Sequence, residues 1–530
     1  MNVIDRAVSF INPVAGVRRE HARMTLQMVQ VVKNSGYSHS GASRSKKSMA
    51  GWVHESASPV EDIDYNLDVL RQRSRDLYMS APLATSAIKN NRTNVVGSGL
   101  RLKSTVDFVT LGISEEQAHE IESKIEKEFD LWASSRFCDA LRINNFYGLQ
   151  QLSLMSWLMN GDSFAIPTYG ESKPYMPYSL NVHLIEADRV STPGATSQNG
   201  RSVIGKNQET GNKIYYGVEI DGSGAVVAYH ICNTYPNTKQ YINKTWQRVE
   251  AFGAETGNPN ILQLMESERC EQYRGIPYLS PVIETVKQMT RYTEAEIAAA
   301  IVNSFFTAFI KTDGNRGEIP IGESIGQDQQ LATDEDQPTY ELGAGTINVL
   351  GEGEDVVFSN PTRPASGFDM FINAMARQVG AALEIPAEML LKSFSASYSA
   401  SRASLLEAWK AFRMRRVWLA NDFCQPIFEL WLSEAVAIGR IAAPGFFVDP
   451  MIKKAWCGAN WNGPASGQID PLKEVQASVM KINNSLSTRA KETMELSGGD
   501  FNQNAIQLKR ENAMLGISGV QNGGENSDAK

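Results

Sequence analysis

Two long helical segments that flank a short acidic insert constrain the fold of this chain more than any other feature. The first starts at Ser280, the predicted N-cap before Pro281, and runs to about Thr307, roughly 28 residues or on the order of 40 Å. The second spans about 366–384 and carries one apolar stripe at i, i+3, i+4 and i+7 spacing. Between them lie strand-like stretches, FTAFIKT, GTINVLG and EDVVFS. An outgoing and a returning helix with such an insert predict a protruding helical hairpin.

Charge is distributed unevenly along the chain. The net charge is −8, yet residues 313–355 contain eleven acids and a single base, Arg316. Residues 1–57 have the opposite sign, with eight bases and three acids among small polar residues, which predicts a basic mobile arm. One short acidic segment therefore more than accounts for the negative charge of the whole chain.

The rest of the chain predicts an α+β protein. Residues 164–265 contain short β-rich runs separated by Gly, Asn and Pro turns. Helices are predicted at 61–96, at 114–134 with Ser114 as the cap, and at 401–436. A chain of 530 residues can form several domains around more than one core.

Cysteine usage and hydropathy predict a soluble protein that is not exported. The five cysteines include no C-x-x-C pair, which is typical of reduced thiols. The longest apolar run, 297–310, is too short for a membrane span and is interrupted by polar residues. The N-terminal stretch has an acid before its first base, unlike a signal peptide.

The sharpest enzyme-like motif is GRSVIGKN, residues 200–207, which fits a nucleotide-binding loop except at its last position. Such a loop needs a strand before it, a helix after it and a hydroxyl for Mg²⁺, whereas here turn-rich segments flank it and Asn207 replaces the hydroxyl. We interpret the match as accidental. His183 and His230 lie in strand-like runs and are interpreted as sheet residues rather than ligands. No catalytic residue, cofactor or metal site is predicted.

Residues 391–418, LKSFSASYSASRASLLEAWKAFRMRRVW, admit three interpretations: a catalytic serine cluster, a nucleic-acid grip or a packing element. The serines lack an adjacent general base. At about 100° per residue, Arg402, Arg413 and Arg416 fall within about 40° of Trp409, on the apolar face. A helix that grips DNA would place its bases on the solvated face. Packing against protein, with the arginine heads paired to carboxylates of a neighbour, is therefore favoured over direct DNA contact.

Five stretches follow one another in a recognisable order: NGDSFAI (160–166), HLIEADRV (183–190), YRGIPYLSPVIE (273–284), EIPAEMLLKSFSASYSASRASLLEAW (384–409) and IDPLKEVQASVMKI (469–482). In this order and spacing they resemble blocks of the lambda-type portal (head-to-tail connector) proteins of tailed bacteriophages. The similarity spans roughly residues 60 to 500.

The resemblance implies an α+β portal-type subunit in a ring of identical chains, typically about twelve, around a channel at one capsid vertex. It implies these parts: a basic mobile arm 1–57, an α+β wing 58–279, stem helix 280–309, a small acidic clip 310–361, stem helix 362–386, tunnel loop 387–400, a long helix 401–436 behind that loop, a return to the wing and helical crown 437–496, and a flexible tail 497–530. The helical hairpin predicted from the residues agrees with the stem–clip–stem order.

The resemblance also implies binding sites and partners. The DNA-facing residues of the tunnel loop would be Lys392, Ser393, Ser395, Ser397, Tyr398, Ser399 and Arg402. An adjacent subunit would pack on Trp409, Arg413 and Arg416, and Asp334, Glu335 and Asp336 of the clip would dock partners. The implied partners are double-stranded DNA without sequence readout, the terminase large subunit, the major capsid and scaffold proteins, and head-completion or tail adaptor proteins; no membrane is involved. The implied location is the virion portal vertex, after assembly in the host cytoplasm.

Two other functions stay open at this point. One is a nucleotide-dependent DNA-processing enzyme that uses Lys206, and the other is a capsid scaffold that never contacts DNA. Charge favours the conduit, because each Lys or Arg contact to phosphate adds affinity that would hold DNA back. An acidic insert and a negative net charge of the whole chain would let DNA slide through the channel.

Overall fold

The fold of the chain is given by a computed structural model. It describes residues 14–15, 18, 21–22, 46–49, 52, 56–194, 203–236, 238, 243–304, 308–312, 354–358, 367–394, 397–467 and 470–515. Two units are distinguished, Met1–Ser58 and Pro59–Lys530. In the first unit the described residues include a 3₁₀ turn over Lys47–Met49. Most of the predicted basic arm lies outside the described residues.

The second unit begins with a group of helices. They are α1 (Pro59–Asp62), α2 (Leu67–Ser80), α3 (Pro82–Asn91), α4 (Phe108–Leu111), α5 (Glu115–Ala133) and α6 (Phe146–Asn160). A π-helical turn, Arg92–Val96, continues α3. The predicted cap of α5 is confirmed: Ser114 Oγ accepts from the N–H of Gln117, whose side chain accepts from the N–H of Ser114, which satisfies two free donors of the first turn.

Strands follow in the segment that was predicted to be β-rich, and that prediction is confirmed. They are β2 (Asp162–Tyr169), β3 (Leu180–Glu186), β4 (Ile204–Lys206), β5 (Lys213–Tyr215), β6 (Val218–Ile220), β7 (Val226–Cys232), β8 (Trp246–Glu250) and β9 (Leu262–Met265), while β1 (Arg101–Ser104) precedes α4. One sheet has the order β3-β2-β9, and a second is an antiparallel meander from β4 to β8. Apolar side chains of both sheets, among them Phe164, Val218 and Ile231, form one buried cluster.

The predicted helical hairpin is present in the described residues. Helix α7 (Ile283–Ser304) leads into β10 (Ala308–Thr312), and β11 (Glu354–Phe358) precedes the returning helix α8 (Phe368–Ala382). The two strands pair antiparallel, Ala308 with Phe358 and Thr312 with Glu354. The ring of Tyr292 on α7 lies 5.7 Å from Phe368 and 4.7 Å from Phe371 on α8, so aromatic contacts join the helices.

The start of α7 differs from the prediction. Ser280 does not cap the helix: it is the first residue of a 3₁₀ turn, Ser280–Val282, which precedes α7 and whose N-cap is Leu279. The buried Ser280 hydroxyl has no hydrogen-bond partner among the described residues. The strand-like GTINVLG and the end of the predicted helix at Thr307 lie outside the described residues.

A long helix follows a short one. Helix α9 (Ala387–Leu391) precedes α10 (Tyr398–Leu419), which continues through a π turn, Ala420–Cys424, into α11 (Gln425–Ala437). Pro426 lies just after the π turn; since it has no N–H to donate, the α-helical bonding pattern is interrupted there. The helix predicted at 401–436 is therefore longer by three residues at its start, and the loop before it is shorter than 387–400.

The C-terminal part adds one strand and four helices to the described residues. They are α12 (Pro450–Trp456), β12 (Ala459–Asn462), α13 (Pro471–Asn483), α14 (Arg489–Ser497) and α15 (Phe501–Met514). Strand β12 pairs with β1, which returns the chain to the first helices. The segment predicted as a tail from residue 497 thus includes the helix α15, whose Asp500 side chain caps its start.

The largest core lies where α5, α6 and α11 meet. Phe129 packs edge-on against Phe146, Phe428 and Trp431 at centroid distances of 5.7, 5.6 and 5.1 Å. Trp132, fully buried, lies 5.3 Å from Phe146. Aromatic burial of this extent is a dominant stabilising contribution, and it fixes α11, and with it the long helix, to the first helices.

Candidate functional site

The predicted tunnel loop is a short connection between α9 and α10. Lys392 ends α9 in the left-handed conformation, φ 55°, and the N–H of Ser393 donates to the Glu388 carbonyl at 3.1 Å. Ser393, Ser397 and Ser399 are exposed. Ser395 and the side chain of Tyr398 lie outside the described residues. The described part of the loop presents the hydroxyl groups of these three serines to solvent, and whether they face DNA stays a prediction.

Helix α3 holds the base of this loop. Ser86 Oγ donates to the carbonyl of Leu390 at 2.8 Å, and Asn90 Nδ2 donates to the carbonyl of Met389 at 3.1 Å. Lys392 Nζ donates to Asn90 Oδ1 at 2.5 Å. Asn90 is 3 % exposed, so its amide bridges the two segments where water does not compete strongly. Residues about 300 positions apart therefore set where the loop leaves the body of the protein.

The three arginines of the apolar helix face have protein partners in the same chain. Arg402 lies 3.6 Å from Glu474, and Arg413 lies 3.3 Å from Glu495. Arg416 donates to the carbonyls of residues 94, 95 and 464 at 2.8, 3.0 and 2.9 Å, and its guanidinium lies 5.2 Å from the ring of Trp409. Burial and the nearby Arg413 lower the pKa of Arg416 to about 10. Packing of this face on an adjacent subunit stays a prediction.

Arg415 is a buried charged residue near the candidate site that the sequence did not predict. It lies about 120° from Trp409 on the helix and is 2 % exposed. Its guanidinium contacts Glu384 at 2.6 Å and Asn91 at 3.2 Å, and lies 4.9 Å from the ring of Tyr278. The run RMRR carried a signal, because three arginines so close together cannot all occupy one face.

Glu384 and its surroundings join the hairpin to the long helix. Glu384 follows α8 with φ 54°, and the N–H of Ile385 donates to the carbonyl of Gly380 at 2.9 Å. A Cβ at Gly380 would approach the Ile385 carbonyl oxygen to 2.4 Å, so this sharp turn requires glycine. Tyr278 donates its hydroxyl to the Leu383 carbonyl. The end of α8 is thus tied to the segment before α7 and to α10.

A second buried charge cluster, centred on Asp162, was also not predicted from the sequence. Asp162, fully buried, accepts from Arg274 Nε at 2.6 Å and from Arg71 Nη2 at 3.0 Å, and both arginines are themselves fully buried. Arg274 also donates to the carbonyls of Ala187 and Val190 at 2.8 Å each. Paired charges of this kind persist in a core only when hydrogen bonds satisfy them.

This cluster joins three of the sequence blocks. Asp162 belongs to NGDSFAI, Arg274 to YRGIPYLSPVIE, and the accepting carbonyls to HLIEADRV. Gly161, at φ 91°, lets the first two blocks touch, since a Cβ there would lie 2.2 Å from the carbonyl oxygen of Gly275. A glycine beside a charged residue in both blocks was the sequence signal for this contact.

Asp64 lies in the same electrostatic environment. It is 2 % exposed, and burial raises the pKa of its carboxyl to about 7, against the opposing charges of Arg274 and Arg71. One carboxyl oxygen of Asp64 has no hydrogen-bond partner among the described residues.

The nucleotide-loop match does not have the geometry of a nucleotide site in its described part. Lys206 ends β4 and pairs with Lys213 of β5, so a hairpin follows rather than the N-terminus of a helix. Asn207 Nδ2 donates to the buried Glu219 at 3.0 Å, and His230 Nε2 lies 2.9 Å from the same carboxylate. Although burial opposes its charge, hydrogen bonds from Arg248, Asn207 and His230 hold the pKa of Glu219 well below its usual range. His230 is a satisfied sheet residue, as interpreted.

Other sites are tested only within the described part of the chain. There, no group of three or more His, Cys, Asp and Glu side chains could hold a metal ion. The helices described include none with the length and apolar character that crossing a bilayer requires. All five cysteines are free thiols, and Cys270 alone among them is exposed. The clip residues Asp334, Glu335 and Asp336 lie outside the described residues.

Comparison with known proteins places this geometry in context. The model of the family "Phage portal protein, lambda family" matches residues 45–416. The chain is 25 % identical over 507 residues to the portal protein of Escherichia phage N15, covering 92 % of this chain and 91 % of that protein. It is 25 % identical over 513 residues to portal protein B of Escherichia phage lambda, covering 93 % of this chain and 92 % of that protein. Among solved structures, a chain of the virion of a native gene transfer agent particle matches at 11 % identity and a TM-score of 0.46, covering 81 % of this chain and 93 % of that chain.

Proposed function

The chain belongs to the lambda family of phage portal proteins, and we propose that it assembles with identical copies into a ring, typically about twelve, that conducts double-stranded DNA. The ring would stand at the capsid vertex and serve packaging and ejection. The match of the family model over residues 45–416, which includes both the helical hairpin and the loop before α10, is the observation that carries this proposal. We propose no catalytic role for any residue.

We assign α7 and α8 to the stem of this subunit and the segment between them to the clip. The contacts of Tyr292 with Phe368 and Phe371 support the stem, because they pack the outgoing helix on the returning one. The antiparallel pair β10–β11 supports a clip that closes on itself at the end of the stem. Residues 58–279 then form the wing, and the helices α13 and α14 belong to the crown.

The loop between α9 and α10 is proposed to face the DNA. Ser393, Ser397 and Ser399 are exposed there, and hydroxyl groups contact a phosphate backbone without reading bases. Arg402 contributes less to this contact than the sequence suggested, since Glu474 lies 3.6 Å from it. Weak contacts suit a channel, because DNA must pass rather than stay bound.

The clip is proposed to dock the packaging motor, the terminase large subunit, and later the head-completion or tail adaptor proteins. The charge of residues 313–355, with eleven acids and one base, supports a partner with a basic surface. Capsid and scaffold proteins would surround the assembled ring at the vertex, after assembly in the host cytoplasm.

Imaging and light scattering of the purified full chain test this function. Closed rings with an axial hole are expected, and a protein that stays monomeric or dimeric at high concentration contradicts the conduit. Charge reversal at Asp334, Glu335 and Asp336 should weaken motor or adaptor binding while rings form normally. An ATP-turnover assay tests the alternative enzyme: robust hydrolysis that Lys206→Ala abolishes would contradict a purely structural role.

A further inference from the structure

A cavity of about 400 Å³ opens beside the loop base, between the end of α2, one face of α3 and the end of α9. Its lining includes Thr85, Ser86, Lys89, Asn90, Thr93 and Lys392. Thr85, Lys89 and Thr93 follow one another at i+4 spacing and therefore share a helix face. The cavity brings residues of the first helices together with the residue that ends α9.

Two lysines line this cavity. Lys89 is an exposed residue of α3, and Lys392 reaches toward the same helix, where Asn90 Oδ1 accepts from its ammonium at 2.5 Å. No carboxylate belongs to the lining that the structure describes. Two ammonium groups without an acid repel each other, and an anion between them would offset that repulsion.

The backbone conformation of Lys392 is unusual for a lysine and indicates that its side chain has a role. Lys392 has φ 55°, in the left-handed region where helices usually end with glycine or asparagine. A lysine there carries strain that a glycine would avoid. Asn90, which is 3 % exposed, then fixes the ammonium at the cavity instead of leaving it free in solvent.

The lining also indicates which anion fits. It includes no aromatic side chain among its described residues, so a nucleobase has no ring on which to stack. Lysine ammonium groups bind phosphate as point charges and require no fixed orientation of the anion. The Thr93 hydroxyl adds a neutral donor at the exposed end of the same face.

We propose that the cavity formed by Lys89, Thr93 and Lys392 binds a phosphate group, and that the DNA backbone passing the loop supplies it. The second half of this proposal rests on the proposed function of the ring as a DNA conduit. It moves the main DNA contact from the loop serines to a preformed site on α3, which the loop base completes. One site per subunit, with only two lysines, keeps each contact weak enough for DNA to pass, and makes it salt-sensitive and independent of base sequence.

Lysine acylation read by mass spectrometry tests the site in the full-length protein. The rate at which Lys89 and Lys392 react with an acylating reagent should fall severalfold when a short linear duplex is added. Lys173, which lies in the β2–β3 connection and pairs with Glu171 at 2.8 Å, serves as the control and should react at an unchanged rate. A second experiment replaces the duplex by inorganic phosphate, at the concentration of phosphate groups that the duplex supplied, and measures the same acylation rates.

Variants test whether the two lysines bind the DNA phosphates or only lie near the bound duplex. Lys392→Gly removes the ammonium and its hydrogen bond to Asn90 at a backbone conformation that glycine prefers, while the bonds of Ser86 and Asn90 to the carbonyls of Leu390 and Met389 still hold the loop base. Lys89→Gln changes an exposed helix residue, and Lys173→Gln is the matched control. Each of the first two should weaken duplex binding and lower the slope of log affinity against log salt by about 0.9 for every phosphate that is no longer neutralised, whereas Lys173→Gln should leave both unchanged.

The outcomes distinguish failure of the proposed phosphate site from failure of the proposed DNA-conduit function. Protection of both lysines by duplex, abolished in the variants, supports the proposal. Protection by inorganic phosphate but not by duplex supports a phosphate site and refutes its DNA source. Unchanged reactivity in both arms, with rings that still bind duplex through other residues, overturns the phosphate site while the conduit stands. Absence of rings and of duplex binding refutes the conduit, and the inorganic phosphate arm alone then decides the site.

Discussion

Removal of the Asp162 carboxylate should destabilise the subunit more than any surface change. Asp162 accepts from Arg274 Nε at 2.6 Å and from Arg71 Nη2 at 3.0 Å, and all three side chains are fully buried. In Asp162→Ala, two buried guanidinium groups would lose their shared counter-ion, and Arg71 would keep only the more distant Asp188, at 3.8 Å. Breaking one buried pair costs about 3–5 kcal/mol, and here one substitution breaks two.

The expected loss is therefore at least about 3–5 kcal/mol, a large part of the roughly 5–15 kcal/mol that stabilises a typical domain. Asp162→Asn should cost less, because its amide oxygen still accepts from one arginine. The exposed pair of Glu407 with Lys410, at 2.7 Å and with both side chains more than 70 % exposed, is the matched control. Glu407→Ala should cost about 0.5 kcal/mol or less.

Urea unfolding followed by tryptophan fluorescence measures these differences, because Trp132 and Trp431 are fully buried in the core. The refuting result is an Asp162→Ala protein whose free energy of unfolding lies within about 1 kcal/mol of the parent and of Glu407→Ala. The three sequence blocks would then be held together by something other than this ion network.

Three further predictions concern buried groups of the same body. Arg415→Met should cost about 1–3 kcal/mol, less than a fully buried pair because its partner Glu384 is 54 % exposed, and calorimetry would measure the lowered Tm. The carboxyl of Asp64, whose pKa is raised to about 7, binds its proton more tightly in the folded state, so its contribution to stability falls as pH rises from about 4 to 7, by roughly 1.4 kcal/mol per pH unit. Asp64→Asn should flatten that decline in urea titrations run across this range, and an unchanged slope would contradict it. Gly161→Ala should lower the urea midpoint strongly, since the added Cβ would lie 2.2 Å from the Gly275 carbonyl oxygen at φ 91°; a midpoint equal to that of the parent would contradict the close approach.

Patterns of local spacing predicted much of the fold correctly. The apolar stripe at 366–384 and the strand-like runs on either side of the acidic insert correspond to α8, β10 and β11. The angular positions of Arg402, Arg413 and Arg416 predicted protein partners for these bases; all three have partners within the chain, but the side chains of Arg402 and Arg413 are 38 % and 50 % exposed. Helix and strand periodicities determine such features, because each is a property of neighbouring residues.

Local patterns could not predict which distant residues contact one another. Arg71 and Asp162 are 91 positions apart, and Arg274 and Asp162 are 112 apart, so no helical or strand period relates them. The sequence alone determined the order of helices, strands and charge, and with them the resemblance to portal proteins. The tertiary structure decided which distant groups meet: the buried arginine pair on Asp162, and the Lys392 ammonium on Asn90 at the loop base. These contacts require the whole chain to fold, because burial and packing, not spacing, bring their atoms together.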